Sequence, residues 1–548
     1  MIQVTKSMHL VCFLFLAGCT GIPVPPGPIT FEDVTESAGL IEPLKGMAGH
    51  NAVWGDVNGD GFPDLFFGTF THFYDSVYDV RGHNGGPEPN KIFINQGDGT
   101  FKEVEDSPVK VRGKNSGGAF ADFDNDGDLD LVLSHQSHLK VWPGDLPKSA
   151  IQRNLFLEND GKGNLADITE HSGLDFGYPF LGRSTFVFDF DGDGLLDLFM
   201  QEDFVLGDIS GGNSRLMKNM GDLHFEDVTA AAGFPTGFQK GLYGLGGFVD
   251  DINGDTWPDV FFVHSCRMFI NNRDGTFHEK EYNIVPEEIA APSTVNMDWT
   301  CGANTGDLDN DGDLDFVVGD HFRFDSDYHH LFIFLNEGND ENGDPIIRDI
   351  SDEIGLEQPD GRLIHMQLDD ADNDGKMDIM SVRCNAFVYQ NAGLVNGLPS
   401  FNSPVSSGHD CGITYYAGGA FADFDRDGRI DFMGPEWFPR DASPLLRNIT
   451  VGAGNYIDIR LDLDNSPNRN GIGAKVEIFK AGSLGMEEGR LGTKIISVTN
   501  GYSSSYEAIA HFGLPNDKKV DIRVTMPCKG PTYTRTKISR NQMYTLTN

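Results

Sequence analysis

The side chains best placed to do chemistry are aspartates, and they come in sets. A nine-residue pattern, Asp-x-Asp/Asn-x-Asp-Gly-x-x-Asp, begins at Asp56, Asp122, Asp189, Asp251, Asp307, Asp370 and Asp423. Positions 1, 3, 5 and 9 give seven candidate ligand sets. These are Asp56, Asn58, Asp60 and Asp64; Asp122, Asp124, Asp126 and Asp130; Asp189, Asp191, Asp193 and Asp197; and Asp251, Asn253, Asp255 and Asp259. The last three are Asp307, Asp309, Asp311 and Asp315; Asp370, Asp372, Asp374 and Asp378; and Asp423, Asp425, Asp427 and Asp431. Carboxylates held this close repel one another unless a cation sits among them. With the position-7 carbonyl they offer the hard-oxygen shell that Ca²⁺ takes at about 2.3–2.6 Å. Position 6 is Gly, free to adopt φ > 0, except in the fourth copy, where Thr256 makes the weakest site of the seven. An EF-hand would need an acid at position 12, but that position is Phe67, Leu133, Met200, Phe262, Val318, Ser381 or Gly434. The expected cofactor is therefore six or seven Ca²⁺, each saturated by its own loop and structural in role.

The 548 residues include 83 acidic and 41 basic, a net charge of −42. Seven Ca²⁺ would raise that to about −28 (−42 + 14), still a charge that repels nucleic acid. A hydrophobic fraction of 39% with 41 Phe argues against a disordered acidic chain.

The elements around the loops repeat with them. Every loop runs into an apolar strand-like segment, such as Leu65-Phe66-Phe67, Leu131-Val132-Leu133 or Val260-Phe261-Phe262. Successive starts lie 66, 67, 62, 56, 63 and 53 residues apart, room for four short strands each. A second signature follows: Asn95 through Phe101, Asn159 through Leu165, Asn219 through Phe225, Asn271 through Phe277, then segments such as Phe225-Glu226-Asp227-Val228-Thr229 and Ala232-Gly233-Phe234. On these motifs residues 29–450 resemble the FG-GAP (VCBS-type) repeats that form the integrin α-subunit propeller. The resemblance implies an all-β fold, a seven-bladed β-propeller with Ca²⁺ between the first two strands of each blade. Phe31-Glu32-Asp33-Val34-Thr35 matches an outermost strand yet precedes the first loop, and the seventh repeat lacks that strand after Leu445-Leu446-Arg447-Asn448. The N-terminal strand is thus expected to complete the last blade.

From 451 to 548 the repeat stops and strand-like runs suggest a small β-sandwich. Asn468 through Ala474, Gly501-Tyr502-Ser503-Ser504 and His511-Phe512-Gly513-Leu514 resemble the ASPIC/UnbV domain. The family's Trp-Pro-x-Gly turn is replaced by Met526-Pro527-Cys528-Lys529-Gly530. The order of the two parts is similar to that in the cartilage acidic protein family.

Residues 1–19 read as an export signal ending in Leu16-Ala17-Gly18-Cys19, which resembles a lipobox with Cys19 the lipidated residue. Residues 20–28 form a Pro-rich tether. These imply a bacterial lipoprotein, exported and anchored at the outer membrane or cell surface, touching the membrane through its lipid only. Cysteine spacing suggests Cys266–Cys301 and Cys384–Cys411 bridges, with Cys528 free.

The familiar catalytic motifs do not occur in this sequence. If the calcium loops share one face, segments on the opposite face carry His72, His135, His138, Arg183, His264, His321, His365, Arg383 and Trp437. Such a funnel suits an extracellular glycan or protein ligand, and the expected function is that of a monomeric binding or adhesion protein. The alternative is an enzyme using a transition metal or a carbohydrate site in the funnel.

Overall fold

A computed structural model describes residues 27–71, 87–136, 153–176, 180–202, 214–236, 242, 244–263, 266–280, 300–320, 331–356, 363–382, 386–406, 416–439, 443–464 and 466–548. Seven four-stranded antiparallel sheets follow one another along the chain. In the first, Gly49–Gly55, Asp64–Thr69, Lys91–Asn95 and Phe101–Glu103 pair in order. The two inner strands are buried on both sides, whereas the outermost is partly exposed. Side chains from both faces of an inner strand must therefore be apolar, which is why runs such as Leu65-Phe66-Phe67 do not alternate.

Each sheet packs face to face on the next. Val53 and Phe66 of the first meet Phe120 and Leu131 of the second, and equivalent clusters continue around the array. Trp54 and Phe67 of the first sheet also pack with Ala420 and Met433 of the seventh. This is a β-propeller. As its sequence suggests, Phe31–Asp33 pairs with Leu445–Asn448 (Phe31 opposite Asn448) and supplies the seventh sheet's fourth strand. The sixth blade carries an inserted hairpin, Asn391–Val395 with Leu398–Phe401.

The C-terminal part is a sandwich of a three-stranded and a four-stranded sheet. Ile457, Ile459 and Phe512 from one sheet interlock with Val476, Ile478 and Ile522 from the other. The exposed edge strand Thr532–Ser539 is too polar to announce itself by apolar alternation.

One segment of the sandwich leaves it altogether. Residues 499–506 enter the propeller between its innermost strands and form a hairpin that fills the channel. Ser505 exchanges backbone hydrogen bonds with Ala52 and Trp54 (3.2 Å each), and Gly501 with Gly247 (2.9 and 3.2 Å). Thr499 Oγ1 accepts from Val187 N–H and Asn500 Oδ1 from Val249 N–H, both at 3.1 Å. Ser504 Oγ accepts from Gly419 N–H, and Asn304 Nδ2 donates to the Tyr506 hydroxyl. Gly501 sits at φ +103°, and a Cβ there would lie 2.6 Å from His365 Cε1, so only glycine fits.

Candidate metal centres

The loops are built by their own backbone before any ion is considered. In all seven, the position-1 carboxylate accepts the N–H of position 6, from Gly61 to Asp56 at 2.9 Å through Gly428 to Asp423 at 2.8 Å. The position-5 carboxylate accepts the N–H of position 7 in every copy. Positions 4 and 6 lie at positive φ throughout, including Asn125 at 61° and Asn373 at 60°. Thr256 takes φ 76° where the other copies have glycine, a strained choice for a β-branched residue.

Three carboxylates converge within 4.8 Å in five loops: Asp122, Asp124 and Asp126; Asp189, Asp191 and Asp197; Asp307, Asp309 and Asp311; Asp370, Asp372 and Asp374; Asp423, Asp425 and Asp431. The other two loops are those with Asn58 and Asn253 at position 3. These clusters of Asp could bind a metal ion. The fit is supported by buried oxygens without a hydrogen-bond partner in the clusters: Asp122 Oδ1, Asp191 Oδ1, Asp307 Oδ1 and Asp425 Oδ1. A buried acceptor left unpaired is costly, and a cation would satisfy it. In the fourth loop Arg273 instead holds Asp255, with Nη2 at 2.6 Å.

Electrostatics say the same. Burial first, and the carboxylates of Asp124 and Asp126 second, push Asp122 up to about 7. Burial likewise lifts Asp189 and Asp307 to about 7, and Asp64 and Asp130 to about 8. Asp197, Asp259 and Asp315 rise well above the ordinary carboxylate range, again mainly by burial. Without a cation, burial favours the protonated form of these groups.

Position 9 has a second task. Its Oδ1 accepts the N–H of an asparagine in or just after the third strand of its blade, Asn95 to Asp64 at 2.8 Å and so on through Asn448 to Asp431 at 2.7 Å. The side-chain amide of that asparagine then donates to the position-2 carbonyl of the preceding loop. Asn159 reaches Val57, Asn219 reaches Phe123, Asn271 reaches Phe190, Asn336 reaches Ile252, Asn391 reaches Leu308 and Asn448 reaches Ala371. Asn95 reaches Phe424 of the seventh loop at 2.9 Å. These seven asparagines are functional positions that the Asp pattern alone does not reveal. Four of them, Asn95, Asn159, Asn219 and Asn271, open the second sequence signature, whereas Asn336, Asn391 and Asn448 lie outside it, and the distance from position 9 varies from 12 residues (259 to 271) to 31 (64 to 95).

The sandwich lies on this face and touches every loop. Arg460 Nη1 is 3.8 Å from Asp56 Oδ2 in the first loop. Arg469 N–H donates to Asn125 Oδ1 (3.1 Å) and its guanidinium to Asp126 O (3.3 Å) in the second. Asn468 N–H reaches Gly194 O in the third, and Cys528 N–H reaches Thr256 O in the fourth. Lys475 donates to Gly312 O at 2.9 Å and Arg490 to Asp311 O in the fifth. Gly454 N–H donates to Asp372 O, and His511 Nε2 lies 2.8 Å from Asn373 Oδ1, in the sixth. Glu507 accepts both Arg426 guanidinium nitrogens, at 2.8 and 2.5 Å, in the seventh. Burial opposes the charge of His511, but Asp458, 2.7 Å away, outweighs it and lifts the imidazole to about 9.

At the opposite end, the expected ligand face looks different from an open funnel. His72, His138, His264, His321 and Arg383 lie outside the described residues, as do Cys19, Cys384, Cys411 and the Cys301 side chain. His135 and His365 are fully buried and do not line a surface. Burial holds His135 down to about 3 and His365 to about 4. His365 Nδ1 lies 3.0 Å from Tyr502 O, against the hairpin tip. Arg183 donates to the Tyr502 hydroxyl and to Ser116 Oγ, both 3.3 Å, while Trp437 packs on His50 and Phe70 at 5.3 and 5.2 Å. Both Arg183 and Trp437 stay half-buried, the remaining partly accessible members of the set. Cys528 is a free thiol, 3.6 Å from Asp189 O. No helix among the described residues is long and apolar enough to cross a membrane.

Family models match both parts. The FG-GAP-like repeat model matches residues 78–133 and 251–318, and the ASPIC and UnbV model matches 464–548. Cartilage acidic protein 1 of Xenopus tropicalis is 30% identical over 188 residues, 33% of this chain and 26% of that protein. Its Homo sapiens counterpart is 27% identical over 250 residues, 44% of this chain and 32% of that one. The chain thus spans about a third or less of the length of these curated relatives. Among solved structures, an Agrocybe aegerita lectin recognising non-reducing terminal N-acetylglucosamine is 16% identical at a TM-score of 0.40, covering 66% of this chain and 80% of its own. A rhamnogalacturonan lyase is 13% identical at 0.38, covering 74% and 72%.

Proposed function

Starting from a chain that belongs to the FG-GAP-repeat proteins with a C-terminal ASPIC and UnbV domain, we propose that it is an exported binding protein whose propeller is held together by six or seven Ca²⁺. The observation that carries this is the set of buried, unpartnered carboxylate oxygens in loops whose backbone is already wrapped around a common point. Oxygen-only ligands, several of them carboxylates, suit a hard divalent cation better than a transition metal. The family points to an extracellular binding protein. We read Cys19 as a lipid attachment point and the face opposite the calcium loops as the surface that meets a glycan or protein partner, with Arg183 and Trp437 at its centre.

The enzyme alternative required a funnel open to substrate. Among the described residues the channel is instead occupied by the 499–506 hairpin, and His50 and His365 face its tip. Binding without chemistry is therefore the better reading. Elemental mass spectrometry of purified residues 20–548 tests it: calcium near six or seven per chain is expected, with the Thr256 site emptied first by mild chelation. A stoichiometric copper, zinc, iron or manganese ion in place of calcium would refute it.

A further inference from the structure

The atoms that the sandwich grips are not a generic surface. Apart from Asp56 at position 1 of the first loop, they sit at positions 3 to 6, including Asn125 Oδ1, Asp311 O, Gly312 O, Asp372 O and Asn373 Oδ1. Positions 4 and 6 hold left-handed backbone, and carboxylates at positions 1 and 5 accept N–H groups across the loop. With no cation between them the same carboxylates repel or take up protons, and the loop loses the ion that would tie positions 1, 3, 5 and 9 together. The sandwich then faces carbonyls that no longer point at its donors.

We propose that the C-terminal sandwich reads the metal state of the propeller: it docks, and its hairpin fills the channel, when the seven loops hold their cations, and it lets go when they empty. This rests on the calcium reading above. Fit against the sixth loop is close enough to register small movements, since a Cβ on Gly513 would lie 1.9 Å from Asp370 Oδ2 and one on Gly454 1.9 Å from Asn373 O. Charge acts the other way, because Arg460 and Arg469 are drawn more strongly to an unloaded loop. Such half-exposed pairs are weak in water beside a set of directed hydrogen bonds that must be made together. Geometry therefore decides the sign.

Coupling of this kind is reciprocal, so undocking the hairpin must weaken cation binding at loops it does not touch. Gly501→Val provides the means. It drives a side chain into His365 at the channel's far end, away from every metal ligand. The experiment is hydrogen–deuterium exchange of the full chain during titration from Ca²⁺ into chelator, with metal content measured on the same samples. On calcium loss, exchange at 499–506 is expected to rise by on the order of 5–150-fold, while Ile457–Leu461 and Leu65–Phe67 stay protected. Gly501→Val is expected to expose the hairpin in saturating Ca²⁺ and to raise the calcium midpoint at least about five-fold.

Samples that never contain calcium would overturn the inference together with the calcium reading it rests on. Calcium that binds and leaves while 499–506 stays protected would overturn the inference alone. So would one transition in which the hairpin, sandwich core and blades all lose protection together, because docking would then not be a separate step. If Gly501→Val does not fold, the wild-type titration still decides.

Discussion

Asn95 of the first blade donates its side-chain amide to the carbonyl of Phe424, in the metal loop of the seventh, 2.9 Å away. The two residues are as far apart along the propeller sequence as neighbouring blades can be, and the bond lies on the same face as the metal loops. Asn95 also carries its own blade's position-9 aspartate through its N–H. Metal loop, third strand and neighbouring blade are thus one buried hydrogen-bonded unit, repeated seven times. Asn95→Ala leaves the Phe424 and Pro63 carbonyls without this donor, and a buried group so orphaned costs about 1–3 kcal/mol. Denaturant unfolding should show that loss for Asn95→Ala and a similar one for Asn219→Ala, the equivalent residue of the third blade.

The N-terminal strand predicts a larger effect for its size. Ile29 packs in the sixth–seventh blade cluster, and Ala38 and Leu40 pack in the seventh–first cluster, so twelve residues serve two blade interfaces. Deleting 29–40 removes this apolar burial and exposes the Leu445–Asn448 strand edge. Each large apolar side chain lost costs about 2–5 kcal/mol. Deletion is expected to cost at least about 5 kcal/mol and to promote aggregation through the bare edge; thermal unfolding and light scattering would show both.

How much of this was legible follows from which interactions are local. The Asp loops and the strand after each are contiguous in sequence, so the loops and their number could be read directly. The match of Phe31–Asp33 to an outermost strand was legible because the same motif recurs internally. Asn448 shows the limit: within Asn448-Ile449-Thr450 it fits a glycosylation sequon, yet it is fully buried with its amide on Ala371 O and Ile430 O. The channel hairpin was illegible for another reason. Gly501-Tyr502-Ser503-Ser504 is a recognisable motif, but its partners His50, Ser116, Arg183 and His365 are hundreds of residues away and carry no pattern of their own. His135 and His365 looked like surface ligands because a histidine at a strand end is polar in sequence, whatever packs on it later.

Calcium dependence should itself depend on pH. In the cation-free fold, burial raises Asp122, Asp189 and Asp307 to about 7 and Asp64 and Asp130 to about 8, from an unfolded value of 3.8. A raised carboxyl means the folded state binds more protons than the unfolded one. Its stabilising contribution is complete below 3.8 and disappears as pH rises through about 8. On the proposed calcium reading, Ca²⁺ would replace those protons and restore stability on the alkaline side. The difference in melting temperature between calcium-loaded and chelated protein is therefore expected to be small near pH 5 and to widen toward pH 8. A gap that narrows with rising pH would contradict the assignment.

The channel contact titrates with the opposite sign. His365 is held neutral by burial at a value of about 4, against 6.5 when unfolded, with its Nδ1 on the backbone of Tyr502. A lowered imidazole favours folding only while neutral, so its contribution is complete above pH 6.5 and is lost as pH falls through about 4. The full span is worth about 3 kcal/mol, concentrated where the hairpin tip meets the sixth blade. In saturating calcium, exchange at 499–506 should rise between pH 6 and pH 4 before the sandwich core opens. Replacing the imidazole by an amide in His365→Gln removes the titrating group, so the residual pH dependence of that segment should be flatter than in the wild type. Equal slopes in the two proteins would show that another group drives the acid response.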